Sequence, residues 1–295
     1  MAPLPDKKHM PKPKVIVILG QTSTGKTALS VKIAKKFSGE IISADSRQVY
    51  KGLDIGTGKI TRREMRGIPH HLLDMVSPKK VFTVAEYQKK AIYAMAEIAK
   101  NGKIPIVVGG TGFYIDSVTK GIIFPEVAPN TKLRKTLSKK STQELFKVLE
   151  NLDKARAKNI DKNNKVRLIR AIEIAKALGK VPSITEATPP YEFVKIGLVL
   201  PPLELQKKIE KRTKKMFKAV LLNEIKKLKK IGVSQKRLQE FGFEYNNPIY
   251  EKVIIETINY AKRQMTWFKR DKEIKWFSPL EYKKIEKYLK QKLKA

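Results

Sequence analysis

The sequence contains no cysteine, only two tryptophans and three histidines, and no long run of apolar residues. Without cysteine the chain forms no disulfide, uses no thiolate in catalysis and holds no iron–sulfur cluster or cysteine-bound zinc. A membrane-spanning helix needs roughly 18 or more consecutive apolar residues, and the sequence has no such run. We therefore expect no membrane segment and take the cytoplasm as the default location.

Acidic residues are scarce relative to basic ones. Asp and Glu number 28 against 63 Lys and Arg, which gives a formal net charge of +35. This charge exceeds what solubility requires, and its field concentrates polyanions around the protein. Nucleic acid is the commonest large polyanion that a soluble protein meets, so the composition favours nucleic-acid binding. A lysine-rich proteome is the alternative explanation.

The remaining composition indicates a folded protein. Of its 295 residues, 41% are hydrophobic, enough for one large domain or for a core with an inserted unit. Residues 1–14 are rich in proline and lysine but lack the apolar stretch of a signal peptide. We expect them to form a flexible leader before the first strand.

Apolar runs alternate with amphipathic helical patterns in the first half of the chain. Strands are predicted at residues 15–19, 40–44 and 104–108, and helices at residues 28–37 and 83–100. Continuous apolar runs of this length are typical of strands buried on both faces of a parallel sheet. The alternation of strands and helices predicts right-handed crossovers and an α/β fold with helices on both sides of the sheet.

The pattern changes in the second half of the chain. Residues 130–190 are helical and basic with almost no strand signals, which predicts a helical insertion domain. A strand at 193–200 then rejoins the sheet, followed by one long basic helix at 203–230 and another helix at 248–269. The predicted segments are the first part of the core at 14–129, the insertion at 130–190, and the returning strand with the C-terminal helices at 191–295.

A phosphate-binding motif follows the first predicted strand. Residues 20–27 match G-x-x-x-x-G-K-[ST] between a buried strand and a helix, which is the context that this motif requires. Its glycines let backbone N–H groups converge on phosphate oxygens, Lys26 supplies a positive charge, and the Thr27 hydroxyl can reach Mg²⁺. The motif therefore predicts a di- or triphosphate site formed by Gly20, Gln21, Thr22, Ser23, Thr24, Gly25, Lys26 and Thr27.

The acidic residues near this motif differ from those of an ordinary nucleotide hydrolase. The strand predicted at 104–108 ends in Gly109-Gly110-Thr111-Gly112, without the carboxylate that normally helps to hold Mg²⁺ there. Asp45 instead ends the second predicted strand, and the carboxyl ends of parallel strands line the ligand crevice in such folds. Asp45 is therefore expected at the phosphate site as a metal ligand or general base. A helix N-cap is the alternative role for this residue.

Seven sequence blocks form one ordered pattern between about residue 14 and about residue 277. They are residues 20–27, 42–50 (ISADSRQVY), 54–59 (DIGTGK), 70–74 (HHLLD), 109–114 (GGTGFY), 166–173 (VRLIRAIE) and 260–268 (YAKRQMTWF). Together they resemble the tRNA dimethylallyltransferase family. Eukaryotic members carry a C-terminal cysteine and histidine zinc module, which the absence of cysteine excludes, so the resemblance is to the bacterial type.

The resemblance implies a P-loop NTPase-like fold and a transferase that acts on tRNA. Such an enzyme moves a dimethylallyl group from dimethylallyl diphosphate to N6 of the adenosine immediately 3′ of the anticodon. The loop at 20–27 would hold the donor diphosphate, with Mg²⁺ at Thr27 and with Lys26 and Thr27 as catalytic residues, and Asp45 would accept the N6 proton. Contacts to the tRNA anticodon stem-loop are implied for Asp45, Ser46, Arg47, Gln48, Thr111, Arg134, Val166, Arg167, Leu168, Ile169, Arg170, Lys262 and Arg263. We expect a monomer.

The sequence departs from the family pattern at two positions. The family usually has Thr-Arg before Tyr-Ala-Lys-Arg-Gln, whereas Thr257 is followed here by Ile258. An arginine contact at this position is therefore lost, and Lys262 or Arg263 is the candidate substitute. The family's Gly-Tyr in the preceding block is replaced by Gly242-Phe243, which removes a hydroxyl.

Two other groups of residues have open roles. Arg212 precedes Met216 in an Arg-x-x-x-Met pattern similar to that of the family, which makes it a candidate for contacting the diphosphate. His70 and His71 are interpreted as packing or tRNA-side polar residues, not metal ligands, because no carboxylate or histidine partner lies at ligand spacing.

Three other functions account for part of the sequence. A P-loop nucleotide kinase explains the phosphate loop and Asp45 but leaves the net charge unexplained. A non-catalytic RNA-binding protein explains the charge but not the intact Gly25-Lys26-Thr27. A relative that prenylates free adenylate explains the chemistry but not the basic C-terminal half of the chain.

Overall fold

The computed structural model describes residues 12–294, so most of the leader predicted at 1–14 lies outside the described residues. The chain forms two compact units, one from residues up to 121 and from 188 onward, and the other from residues 122–187. No helix within residues 12–294 is long and apolar enough to cross a membrane.

A parallel sheet forms the centre of the first unit. The strands in the described part of the chain are β1 Lys14–Gly20, β2 Gly39–Ala44, β3 His70–His71, β4 Ile104–Gly109, β5 Ile122–Ile123, β6 Thr185–Glu186, β7 Glu192–Leu198 and β8 Lys275–Phe277. Six of them pair in parallel in the order β3-β2-β4-β1-β7-β8. The predicted α/β class is confirmed, and the predicted returning strand is β7, which pairs with β1.

Helices cover both faces of this sheet. The helices in the described residues are α1 Lys26–Lys36, α2 Arg62–Met65, α3 Val84–Lys100, α4 Gly112–Thr119, α5 Thr131–Leu137, α6 Thr142–Leu152, α7 Lys154–Lys158, α8 Lys165–Leu178, α9 Pro202–Lys218, α10 Leu221–Lys230, α11 Gln235–Phe241, α12 Tyr250–Phe268 and α13 Tyr282–Lys294. Side chains of α1 and α13 form one core with the sheet, and those of α3, α4, α10, α11 and α12 contribute to the other.

Alternate side chains of β1 enter these two cores. Ile16 and Ile18 pack in the core that contains Ile33 of α1, and Val17 packs in the core that contains Met95 of α3. All five side chains are fully buried. Burial of such a side chain contributes about 1.5–3 kcal/mol, which explains why residues 15–19 of the strand are all apolar and do not alternate with polar residues.

Helix α3 begins where the sequence predicts it, at a capping box. The Thr83 hydroxyl accepts the Glu86 backbone N–H at 3.2 Å, and the Glu86 carboxylate accepts the Thr83 N–H at 2.7 Å. These reciprocal bonds satisfy two of the N–H groups that a helix start leaves without partners. The apolar stripe that includes Tyr87 and Met95 is then buried against the sheet.

The prediction of one long helix at 203–230 is wrong, because two helices occupy this segment. Helix α9 ends at Lys218, and α10 begins at Leu221 after Val220, whose φ of 66° places it in the left-handed region. A β-branched residue rarely adopts this conformation, and it cannot continue a right-handed helix. The apolar spacing continues across the break, so periodicity alone gave no signal of it.

The second unit is helical. Helices α5 to α8 enclose a small core that includes Leu145, Leu149, Leu168 and Ile172. The antiparallel pair of β5 and β6 lies at the two ends of the segment. The compact unit comprises residues 122–187, whereas the sequence places the insertion at 130–190.

Replacing Val220 by glycine is expected to stabilise the protein. A left-handed conformation costs an L-residue on the order of 1–2 kcal/mol. Glycine adopts it freely but loses about 0.5–1 kcal/mol more entropy on folding. We expect Val220→Gly to raise the free energy of unfolding by about 0.5–1 kcal/mol, measured by denaturant titration. Val220→Ala, which keeps a Cβ, is the control and should raise the free energy of unfolding by less. A glycine variant with a lower free energy of unfolding than the unsubstituted protein would contradict the left-handed conformation at position 220.

Candidate active site

One cavity of about 620 Å³ lies at the carboxyl ends of three neighbouring strands. Strand β1 ends at Gly20, β2 at Ala44 and β4 at Gly109, and the parallel register pairs both Leu19 and Ala44 with Gly109. The loop after β1 and the turn after β2 therefore open into the same space. Asp45 and the phosphate loop both line this cavity.

The loop between β1 and α1 presents unused hydrogen-bond donors. Gly20 has a φ of 133°, and a Cβ there would lie 2.4 Å from the Leu198 carbonyl oxygen, so only glycine fits. The backbone N–H groups of residues 25–27, at the start of α1, donate to no acceptor within residues 12–294. The buried Ser23 hydroxyl likewise has no hydrogen-bond partner in that range. Such a group of donors suits phosphate oxygens.

Lys26 is half-buried beside this loop. Its Nζ donates to the carbonyl oxygens of Gly20 at 3.0 Å and Gln21 at 2.7 Å. Burial and, to a smaller extent, the positive charge of Arg212 lower the pKa of Lys26, and the carboxylate of Asp45 partly opposes them, so that the pKa is about 7. The amine therefore changes its charge near neutral pH, and a bound anion would favour the charged form.

Asp45 directly follows β2 and stabilises a turn. Its Oδ1 accepts the backbone N–H of Arg47 at 2.9 Å and that of Gln48 at 3.3 Å. Residues 46–49 form a turn, not a helix, so the N-cap alternative is wrong. Both hydrogen bonds use Oδ1, and no hydrogen bond to Oδ2 occurs within residues 12–294. Oδ2 therefore keeps its capacity to accept a proton from a ligand.

The residues after Asp45 are fixed by neighbouring elements of the first unit. The Ser46 N–H donates to the Thr111 hydroxyl at 3.1 Å. The Arg47 guanidinium donates to the Glu244 carboxylate at 2.7 Å and lies 5.9 Å from the Tyr260 ring. Except for Thr111, these residues line the cavity together with Gln48.

Arg212 joins the phosphate loop to a second loop. Its Nη1 donates to the Thr22 hydroxyl at 2.8 Å, and its Nη2 donates to the Thr57 carbonyl oxygen at 2.9 Å. A Cβ on Gly58 would lie 2.8 Å from this guanidinium. The structure thus places Arg212 at the cavity, where the Arg-x-x-x-Met pattern made it a candidate for phosphate contact.

Glu224 of α10 is a site residue that the sequence did not reveal. Its buried carboxylate accepts the backbone N–H groups of Asp54, Ile55 and Gly56 at 2.9, 2.7 and 3.1 Å, and the Tyr245 hydroxyl at 2.8 Å. The three bonds from backbone N–H groups fix the loop that carries the Thr57 acceptor of Arg212, and the bond from Tyr245 fixes the carboxylate itself. No local signal marks Glu224, because it lies in a lysine-rich helix about 170 residues after the loop that it binds.

Helix α12 contributes a buried glutamine and exposed basic residues. Gln264 is 5% exposed and lines the cavity, whereas Lys262 and Arg263 are exposed on the same helix. Ile258, where the family usually has arginine, packs beside the cluster that includes Ile209. At the position where the family usually has arginine, this protein therefore has an apolar packing contact.

In the second unit, two of the predicted arginines bind a buried carboxylate. Glu173 is 2% exposed and accepts from Arg134 at 2.6 Å and from Arg170. Burial alone would raise the pKa of Glu173, but the hydrogen bonds from Arg134, the Asn130 N–H and Arg170 outweigh it and lower the pKa to about 2. Arg170 also donates to the Val127 carbonyl oxygen at 2.9 Å. Both arginines therefore stabilise this unit.

The other predicted residues of this helix differ in exposure. Leu168 is fully buried in the core of the second unit and Ile169 packs against it, so their side chains do not face solvent freely. Val166 is 78% exposed, and Arg167 is also exposed. Of the block 166–170, Val166 and Arg167 are the side chains available to a large ligand.

The described histidines make hydrogen bonds to the protein. His70 Nδ1 donates to the Ile68 carbonyl oxygen at 2.8 Å, and burial lowers the pKa of His70. His71 Nε2 lies 2.7 Å from the Glu40 carboxylate. Among residues 12–294, no group of three or more His, Cys, Asp or Glu side chains could hold a metal ion.

Comparison with known proteins places this chain in a family. The family model described as IPP transferase matches residues 48–271. The tRNA dimethylallyltransferase of Caldanaerobacter subterraneus subsp. tengcongensis is 39% identical to this chain over an alignment of 311 residues. The alignment covers 95% of this chain and 99% of that protein.

Solved structures give the same result. The full-length tRNA isopentenylpyrophosphate transferase of Bacillus halodurans is 34% identical with a TM-score of 0.71, and the match covers 96% of this chain and 97% of that one. A eukaryotic dimethylallyltransferase acting on tRNA is 27% identical with a TM-score of 0.72, covering 87% of this chain and 70% of that one. On the extent of these matches, the chain belongs to the IPP transferase family.

Proposed function

We propose that this protein transfers a dimethylallyl group from dimethylallyl diphosphate to tRNA and releases diphosphate. The acceptor is N6 of the adenosine immediately 3′ of the anticodon. One observation carries the proposal: the open N–H groups of residues 25–27, the Lys26 amine, Arg212 and the Asp45 carboxylate line a single cavity. Phosphate-binding donors and a proton acceptor are thus available to the two reactants at one place.

The cavity suits an isoprenyl diphosphate. The loop at 20–27 supplies hydrogen-bond donors for phosphate at one part of the cavity. The cavity lining also includes the apolar side chains of Ile41, Ile60, Leu73 and Val108. Removal of a five-carbon tail from water contributes about 0.8 kcal/mol per buried methylene-sized group. A nucleotide donor would instead present a ribose, whose hydroxyls need polar partners. The apolar part of the lining therefore suits an isoprenyl tail.

Mg²⁺ fits this site as part of the donor complex. Mg²⁺ keeps several waters and usually binds through one or two protein groups and substrate phosphates. The Thr27 hydroxyl at the start of α1 is the protein group suited to hold it, and the Ser23 hydroxyl, which has no hydrogen-bond partner within residues 12–294, is a second oxygen of the same loop. When bound, the ion would neutralise charge on the leaving diphosphate.

The residues present support a balanced transfer step. The N6 lone pair forms a bond to C1 of the dimethylallyl group while the bond from C1 to the diphosphate oxygen breaks, and its electron pair leaves with the diphosphate. Lys26 and the open amides stabilise that negative charge. The N6 proton passes to Asp45, whose Oδ1 is held by the turn and whose Oδ2 accepts.

Transfer to tRNA accounts for the charge that a kinase or an adenylate-specific enzyme leaves unexplained. Neutralisation of phosphates by Lys and Arg drives nucleic-acid binding. The exposed Arg167, Lys262 and Arg263 are the predicted tRNA residues that can contribute in this way. Arg134 and Arg170 contribute less, because Glu173 offsets part of their charge.

A labelled-transfer assay tests the proposal directly. The protein is incubated with Mg²⁺, dimethylallyl diphosphate labelled in its isoprenyl group, and either bulk tRNA or AMP. We expect label on tRNA and not on AMP. Label on AMP alone would support the adenylate-prenylating alternative. In a parallel incubation with labelled ATP as the donor, phosphoryl transfer to either acceptor would support the kinase alternative. Binding of tRNA without any transfer would support the non-catalytic alternative.

Asp45→Asn is expected to remove the general base without disturbing the fold. Asparagine Oδ1 can still accept the N–H groups of residues 47 and 48, so the melting temperature should change little. Single-turnover transfer should fall about 10²–10⁴-fold, with donor affinity nearly unchanged. Asp116→Asn is a matched control, because Asp116 accepts a hydrogen bond from Trp267 outside the cavity. Weaker donor binding that excess Mg²⁺ restores would instead make Asp45 a metal ligand, and normal transfer would remove it from the mechanism.

The lowered pKa of Lys26 predicts a pH dependence of diphosphate binding. Below a pKa of about 7 the amine is charged and attracts the anion, whereas above it the amine is neutral in the free protein. Binding then requires protonation, so affinity weakens as pH rises. Lys26→Arg is the control, because arginine stays charged over this pH range. The diphosphate also changes its protonation with pH, and this change affects both proteins equally. The ratio of the Kd of the unsubstituted protein to that of Lys26→Arg should rise about thirtyfold between about pH 6 and about pH 8.5 by calorimetry. A constant ratio would contradict the lowered pKa.

A further inference from the structure

The first half of the phosphate loop is bound to helix α12. The Thr22 backbone N–H donates to Gln264 Oε1 at 2.8 Å, and the Gln21 side chain donates to the Ala261 carbonyl oxygen at 3.1 Å. Gln21 is buried as well. In contrast, the N–H groups of residues 25–27 find no acceptor within residues 12–294. The N–H of Thr22 is therefore engaged by the protein, whereas the N–H groups at the start of α1 are open to a ligand.

Gln264 is held firmly in this position. Its Nε2 donates to the Gly110 carbonyl oxygen at 2.8 Å, which requires its Oε1 to be the atom that accepts from Thr22. A Cβ on residue 110 would lie 2.3 Å from Nε2, so glycine is needed there to admit the side chain. To move away, Gln264 would have to leave buried polar groups without partners, which is energetically costly.

Thr22 is restricted from its other side as well. Its hydroxyl accepts from Arg212 Nη1 at 2.8 Å, and Arg212 Nη2 is bound to the Thr57 carbonyl oxygen. The loop that carries Thr57 is in turn fixed by Glu224. The backbone and the side chain of Thr22 are thus both engaged by the protein.

This arrangement bears on the number of phosphates that the loop can hold. In a P-loop, amides along the loop cradle successive phosphates, and the lysine reaches the outermost ones. Here the donors at the start of α1 are available, but the N–H at position 22 is already used and the space in front of it is filled by the Gln264 amide. A third phosphate would have to replace a carboxamide oxygen that accepts the same N–H.

We propose that Gln264 limits the phosphate chain at this site to two groups, so that the loop accepts a diphosphate and rejects a triphosphate. The inference deepens the proposed function, because it names the residue by which a P-loop enzyme with a diphosphate donor excludes nucleoside triphosphates. Gln264 contacts the loop and acts through the Thr22 amide, and it is therefore a specificity-determining residue with no part in proton transfer.

The test measures binding of inorganic diphosphate and inorganic tripolyphosphate by calorimetry, with Mg²⁺ held constant. We expect the unsubstituted protein to bind diphosphate more tightly. In Gln264→Ala the freed Thr22 N–H becomes available, and the ratio of the tripolyphosphate Kd to the diphosphate Kd should fall about tenfold. Gln239→Ala is the control, since this exposed glutamine lies on α11 and does not line the cavity. Its ratio should equal that of the unsubstituted protein.

Gln264→Asn guards against loss of folding in the alanine variant. Asparagine keeps the amide group on a side chain that is one methylene shorter, so it leaves a smaller cavity than alanine does. The ratio of the tripolyphosphate Kd to the diphosphate Kd should therefore fall by less in Gln264→Asn than in Gln264→Ala. An unchanged ratio in either variant, with a native melting transition, would overturn the inference. Neither measurement needs turnover. A protein that shows the expected ratios but prenylates no tRNA would refute the proposed function and leave this inference standing.

Discussion

The in-register parallel pairing of β1, β4 and β2 is the constraint on which the site depends. Because Leu19 and Ala44 both pair with Gly109, the three strands end at one edge of the sheet. The chain after β1 becomes a loop of amide donors, and the chain after β2 becomes a turn stabilised by Asp45. A shift of one strand by one residue would turn its side chains to the opposite face and separate the Asp45 carboxylate from the loop at 20–27.

The C-terminal helices complete this edge. Gln264 and Gln21 connect α12 to the loop, Arg212 of α9 connects the loop to the segment 54–59, and Glu224 of α10 fixes that segment by its backbone N–H groups. Each of these bonds is between groups that are buried or half-buried, where an unpaired partner would be costly. The phosphate loop is therefore held in shape before any ligand binds, which reduces the ordering that binding requires.

Local patterns predicted the elements that local physics determines. The apolar run before Gly20 marked β1, the amphipathic pattern of residues 83–100 marked α3, and the G-x-x-x-x-G-K-[ST] spacing marked the loop. The break at Val220 gave no signal, because the apolar spacing continues through it. Gln264 and Glu224 were not identified as site residues for a different reason: their partners lie about 240 and 170 residues earlier, and only the fold brings them together. The same holds for Arg134 and Arg170, whose shared carboxylate shows that a basic residue predicted to contact tRNA can stabilise its own unit.

Binding of a diphosphate at the start of α1, in the cavity that Asp45 also lines, underlies the whole proposed reaction. It can be measured by a chemical-shift titration of the isotope-labelled protein with inorganic diphosphate and Mg²⁺. We expect the backbone amide signals of Gly25, Lys26 and Thr27 to shift most and to saturate together, with a smaller change at Asp45. Largest shifts at a lysine-rich surface such as α13, with the signals of residues 25–27 unmoved at saturation, would contradict it.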